Sequence, residues 1–231
     1  LGVPVVGEIV DNVDDRLDTN GSKIGLGLWN VSSSNWDLYL SSETALELLQ
    51  NRGYEIKRAP GFGPGTIRFT GSMRPSDRTS SVTATNKWSL VGNPFPSYLR
   101  LTKDATGNNA SGDADNYFLN SDHLSYLPEA YQSVYGWDGS AYSSYSNTDG
   151  AGGGAIDVVM PGDAFFVYTN GAENFALKED YQVNDGGRGF RSSTAQGSND
   201  ESNSRRTSAN KIAVNDQSLI HISEPTRQAE I

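Results

Sequence analysis

The sequence predicts an all-β fold, a β-sandwich-like architecture of two related tandem β-units with at most one or two short helices. Three observations carry that prediction. Apolar residues fall in short alternating or continuous runs bounded by Gly, Pro, Asn, Asp and Ser, the pattern of strands joined by turns. The runs are rich in Tyr, Val, Phe, Trp and Thr, residues that suit a pleated, half-buried surface. One order of motifs also occurs twice along the chain.

Taken in chain order, Leu1, Val3, Val5 and Val6 read as a strand already under way, so residues are expected upstream. Strands are predicted at Lys23–Trp29, Trp36–Leu40, Tyr54–Arg58, Thr66–Thr70, Ser80–Thr85, Trp88–Gly92, Ala164–Thr169 and Asn174–Leu177. Helical periodicity is found only at Ser42–Asn51, where Leu46 and Leu49 sit three apart and Ser42 is placed to cap. Asn93-Pro94-Phe95-Pro96 lacks two backbone donors, so it ends the Trp88–Gly92 strand or lies on an edge. Asp138-Gly139, between Tyr135–Trp137 and Tyr142–Tyr145, is a hairpin signal. Met160-Pro161-Gly162-Asp163 forms the turn that launches Ala164–Tyr168, and Gly150–Gly154 is a loop tip. From Asn184 to Asn210 there is almost no apolar residue, so nothing offsets the entropy of ordering it. Lys211–Val214 begins a strand of a following segment.

The repeat sets Leu1-Gly2-Val3-Pro4 against Val91-Gly92-Asn93-Pro94 and Leu28-Trp29-Asn30 against Gly136-Trp137-Asp138. Each Trp is followed by an aromatic pair spaced three apart, Trp36 with Tyr39 and Tyr142 with Tyr145. Gly53-Tyr54 and Gly65–Phe69 then correspond to Ala164-Phe165 and Gly171–Phe175. The resulting organisation is a first β-unit at 1–86, truncated at its start, a second at 87–183, a polar linker or long loop at 184–217, and a non-native tail at 218–231. Trp29 and Trp137 are expected as core anchors whose indole N–H groups need partners, and Asn30 and Asp138 as turn initiators.

Several of these strings carry a resemblance. Lys87-Trp88-Ser89-Leu90-Val91-Gly92-Asn93-Pro94-Phe95-Pro96-Ser97, Tyr135-Gly136-Trp137-Asp138-Gly139-Ser140-Ala141-Tyr142 and Met160-Pro161-Gly162-Asp163-Ala164-Phe165-Phe166-Val167 resemble the "GWNLVGNPYPS", "VYVWDGSSY" and "IAPGQGFFV" signatures of large secreted Bacteroidota proteins that end in a type IX secretion sorting domain. Arg52-Gly53-Tyr54 with Gly65–Gly71 is similar to the first-half "GKGYAVR…GTLTFTGT" of the same family. The resemblance spans roughly Leu1 to Phe190 and implies an extracellular or outer-surface β-rich region of uncharacterised role. Lys87 departs from the usual Gly, and no sorting domain is present in these residues. Ser218–Ile231, SLIHISEPTRQAEI, resembles the translation of a sequencing adapter, which implies a polypeptide that continued beyond Gln217.

Composition excludes several functions. A net charge of −10 argues against nucleic acid or anionic lipid as the main partner. No window approaches the ~18 apolar residues of a membrane-spanning helix, and with no cysteine disulfides, zinc–thiolate sites and cysteine nucleophiles are ruled out.

Candidate chemistry is sparse. His123 directly follows Asp122, and neighbours in sequence seldom point together, so it reads as a surface-loop histidine rather than a catalytic one. Abundant carboxylates leave a two-carboxylate hydrolase open, although most read as a solvated acidic surface. No cofactor is expected beyond loop calcium. Asp11, Asp14, Asp15, Asp18 and Asn20 crowd one loop, and Asp104, Asn108, Asn109, Asp113 and Asp115 another; both offer hard oxygen ligands, and neither fits EF-hand spacing. Trp36, Tyr39, Tyr142 and Tyr145 supply aromatic faces for a carbohydrate, while their matched placement in both repeats favours packing. The expected function is a non-catalytic extracellular structural or adhesion region of a larger secreted or surface protein, with a glycan or a surface protein as partner. The alternatives are a carbohydrate-binding module and part of a secreted hydrolase.

Overall fold

The computed structural model describes residues 1–8, 10, 17–43, 45–61, 69–73, 76–82, 85–102, 116–137, 141–146 and 158–183, together with the backbone of strands 65–68 and 211–214. Its strands are β1 (Thr19–Asn20), β2 (Lys23–Asn30), β3 (Asn35–Leu40), β4 (Tyr54–Ile56), β5 (Gly65–Arg68), β6 (Arg78–Val82), β7 (Lys87–Gly92), β8 (Tyr98–Arg100), β9 (Ser133–Trp137), β10 (Tyr142–Ser146), β11 (Val158–Val159), β12 (Ala164–Thr169), β13 (Glu173–Leu177), β14 (Gln182–Val183) and β15 (Lys211–Val214). Among the described residues, α1 (Ser121–Ser125) is a single short α-helix. The protein is all-β, built of antiparallel sheets.

Two four-stranded sheets organise the chain. In the first, β2 pairs with β1, β3 and β4; in the second the order is β10-β9-β12-β7. The doubled motifs fall on matching elements. Hairpin β2–β3 sets Trp29 opposite Trp36, and hairpin β9–β10 sets Trp137 opposite Tyr142. The third strand follows the same plan, since β4 pairs with β2 and β12 with β9. β7 lies beside β12 with Gly92 opposite Ala164, and an isolated bridge joins Gly2 to Gly53 at the corresponding place.

Because side chains alternate across a strand, each sheet has two different faces. On β12, Phe165 and Val167 enter a core with Val91, Val134, Leu99, Phe118, Phe175 and Tyr181. Phe166 and Tyr168 point to the other face. In the first sheet Leu26, Tyr54 and Ile56 enter a separate core with Val3, Val5 and Leu48, leaving Trp29 and Trp36 on the opposite face. Burying a large apolar side chain contributes about 1.5–3 kcal/mol, so each sheet is anchored by its own apolar face.

Turns are fixed by the expected residues. Asn30 Oδ1 accepts from Ser32 N and Ser33 N at 3.0 and 3.1 Å, an Asx turn after β2. β7 ends at Gly92, and the buried Asn93 Nδ2 donates to Ser97 O, Val159 O and Met160 O at 3.0, 3.2 and 3.2 Å. Asp163 N donates to Met160 O at 3.0 Å, closing the turn before β12, where Gly162 adopts φ +83°, a conformation that favours glycine.

One expectation is corrected. The described residues of the Ser42–Asn51 segment form turns and bridges, not a helix. Leu48 N donates to Glu8 O and Val10 N donates to Leu46 O, so the segment is tied to the chain's opening stretch. Burial there does not follow a helical stripe: Leu48 and Gln50 are buried, whereas Leu46 and Leu49 are 46% and 47% exposed. The helix lies instead at α1, where Asn120 Oδ1 accepts from His123 N at 3.0 Å. Pairings also cross the expected unit boundary, β6 lying against β13 and β15 returning to β5.

Candidate functional site

The unspent faces of the two sheets meet in an aromatic seam. Phe166 is its hub, with ring centroids 5.2 Å from Trp29, 6.4 Å from Trp36, 6.4 Å from Trp88 and 5.9 Å from Tyr142, all edge-to-face. Trp29 and Trp36 are 5.2 Å apart, and Trp137 and Tyr142 are 5.0 Å apart. Trp88 extends the seam to Tyr135 at 4.8 Å and Tyr168 at 5.1 Å. Edge-to-face pairs are each worth about 0.5–1.5 kcal/mol beyond burial. Trp29 is only 4% exposed, and its Nε1 donates to Trp88 O at 2.8 Å, fastening the first sheet to the edge of the second.

Polar atoms in the seam are poorly matched. Among the described residues, Trp36 Nε1, Trp137 Nε1 and Tyr142 Oη are buried without a hydrogen-bond partner. Glu55 shares the Trp29 face of its sheet, since it lies opposite Gly27 in the β2–β4 register. Burial pushes the Glu55 carboxyl up to about 7, against the opposing pull of Lys57. Burial raises the Tyr142 hydroxyl too, with Glu55's charge adding to it. Gly27 makes the room: a Cβ there would lie 2.8 Å from Glu55 Oε1.

The aromatic quartet singled out from sequence is divided. Positions three apart on a strand face opposite sides, so Trp36 and Tyr142 enter the seam while Tyr39 and Tyr145 pack against the two cores. Tyr39 approaches Tyr54, with centroids 6.4 Å apart. The four therefore do not form one binding face. Trp29 is the buried anchor expected, whereas Trp137 is half-buried.

His123 is not on the surface. It is 3% exposed, wedged among Phe118, Tyr126, Phe175 and Tyr181. Nε2 accepts from Ala176 N at 3.1 Å, and Nδ1 lies 2.6 Å from Phe118 O. An acceptor role at Nε2 assigns the proton to Nδ1 and makes the ring neutral. Burial lowers its pKa to about 4, partly offset by the bond to Phe118. The ring is a structural tie from α1 to β13.

Of the proposed calcium ligands, Asp11, Asp14, Asp15, Asp104, Asp113 and Asp115 lie outside the described residues. Asp18 pairs with Lys57 at 2.6 Å, and that bond holds its carboxyl below the ordinary value. Asp18 and Asn20 line a cavity of about 210 Å³ together with Lys23, Glu55 and Lys57; two ammonium groups there oppose a cation. Among the described residues no three His, Asp or Glu side chains are grouped to hold a metal.

No family model, curated protein or solved structure matches the chain. Reasoning from sequence missed Phe166 and Glu55 as seam residues. The signal for Phe166 was present in strand parity, because it is out of step with Phe165 and Val167 and in step with Tyr168.

Proposed function

We propose that this chain is a non-catalytic, β-rich structural or adhesion region of a larger secreted or cell-surface protein. The observation that carries the reading is the seam: Trp29 and Trp36 of one hairpin and Tyr142 of the other all meet the ring of Phe166. Such a contact couples two β-units into one rigid body and leaves the loops to face outward. The resemblance of Lys87–Ser97, Tyr135–Tyr142 and Met160–Val167 to secreted Bacteroidota regions supports the extracellular setting. The engagement of both ring nitrogens of His123 in the core supports a non-catalytic role.

Trp36→Ala and Tyr142→Ala test the reading. Each is expected to lower unfolding stability by about 2–5 kcal/mol without changing capture on a glycan array. If both variants keep the native denaturation midpoint and lose glycan binding, the residues belong to a carbohydrate site and the structural reading fails. Turnover of a polysaccharide or peptide, abolished by one carboxylate substitution, would equally overturn it.

A further inference from the structure

The contact between α1 and β13 has a chemistry of its own. β6 and β13 form a separate two-stranded ribbon, in which Ala176 lies opposite Thr79 and turns its N–H outward to His123 Nε2 at 3.1 Å. We propose that His123 is an acid-released latch on this ribbon: a proton taken up at Nε2 removes the acceptor that Ala176 N–H uses and frees the β13 edge, while the second four-stranded sheet stays folded.

The two ring nitrogens make the release directional. Nδ1, 2.6 Å from Phe118 O, donates in the neutral ring and goes on donating in the imidazolium. Nε2 changes from acceptor to donor, so two N–H groups then face each other at the β13 contact and neither is matched. The ring therefore stays with Phe118 and lets go of Ala176. In the closed latch the positive charge would lie among Phe118, Tyr126, Phe175 and Tyr181, where burial disfavours it. Among the described residues the charged groups facing the ring oppose each other: Asp122, beside it on α1, favours the imidazolium, and Lys178, just after β13, disfavours it. Both are exposed, and the remaining ionisable neighbours are the Tyr126 and Tyr181 phenols. The opening is local because the ring is the tie. Among the described residues, the hydrogen bonds that 118–127 share with the rest of the chain reach Arg100, Leu101, Gln132, Asn170 and Tyr181, and the one to β13 is that of His123 with Ala176.

The latch does not rest on the structural reading above, whose test is the stability of the seam. Amide hydrogen exchange of the full 231-residue chain, followed by NMR, gives the protection of Ala176 N–H and of the β12 amides relative to an unstructured chain at the same pH. With the imidazole at its ordinary 6.5 in the open latch and at about 4 in the closed one, protection at Ala176 is expected to fall about 25-fold from pH 7.5 to 5.0, and that of β12 by less than about fivefold. The imidazole proton–nitrogen correlation spectrum at pH 7.5 is expected to place the proton on Nδ1. His123→Gln keeps a carbonyl acceptor for Ala176 and does not titrate, so protection at Ala176 should become independent of pH over this range; the native series decides the matter if that variant does not fold. Equal falls at Ala176 and β12, constant protection at Ala176, a fall that survives in His123→Gln, or a proton on Nε2 at pH 7.5 each overturns the proposal.

Discussion

Replacing Glu55 with glutamine should uncover a loss of stability on acidification that the native chain largely conceals. Two buried groups titrate in opposite senses. His123 has a folded pKa of about 4 against an ordinary 6.5, so below 6.5 the unfolded chain takes up a proton that the folded chain refuses. Its contribution is complete above pH 6.5 and is lost as the pH falls toward 4, at about 1.4 kcal/mol per unit. Between pH 6.5 and 5 that amounts to about 2 kcal/mol. Glu55 has a folded pKa of about 7 against 4.5, so its contribution is complete below 4.5 and is lost as the pH rises through 7. Acidification over the same interval therefore regains stability at Glu55, about 1 kcal/mol once its partial exposure to solvent is discounted. Urea unfolding at pH 7.5, 6.5, 5.5 and 5.0 separates the two. The native chain should lose about 1 kcal/mol between 6.5 and 5.0, and Glu55→Gln about 2 kcal/mol, starting from a higher value at pH 7.5. A Glu55→Gln profile as shallow as the native one would refute the reasoning, since it would mean that the Glu55 carboxyl titrates in the folded chain as it does in the unfolded one.

Other substitutions probe the seam. Phe166→Ala removes the hub that meets three tryptophans and Tyr142, and should cost about 3–5 kcal/mol in a denaturant melt; a cost under about 1 kcal/mol would mean that the sheets are joined some other way. Tyr142→Phe deletes a buried hydroxyl without a hydrogen-bond partner among the described residues and should leave stability unchanged or raise it by up to about 1 kcal/mol. A loss of that size would point to a hydrogen bond formed by the hydroxyl in solution.

Much of the strand pattern was legible, and the reasons are local. Runs such as Trp88–Gly92 and Ala164–Thr169 carry β-forming residues between turn-forming ones, and both are strands. The turn at Asn30 was readable because an Asx side chain supplies its own hydrogen bonds. Failures came where local pattern and tertiary pairing disagreed. Leu46 and Leu49 imitate a helical stripe, yet both are exposed, and the backbone between them is engaged by the segment at Glu8–Val10. His123 gave no sign of burial because its partners, Phe118 O and Ala176 N, are five and fifty-three residues away along the chain. The seam was half legible: the repeat exposed the paired hairpin aromatics, but only the register of one sheet against the other brings Phe166 among them.

The position of the tryptophans also determines what light can report about this protein. All four indoles, Trp29, Trp36, Trp88 and Trp137, lie in or beside one seam, and none lies in either apolar core. Ultraviolet emission excited at the indole band is therefore a single-location signal that follows the docking of one sheet on the other and is nearly silent about each sheet's own core. A spectral red shift that precedes the collapse of far-ultraviolet dichroism would mark a species in which the sheets have parted while each remains folded.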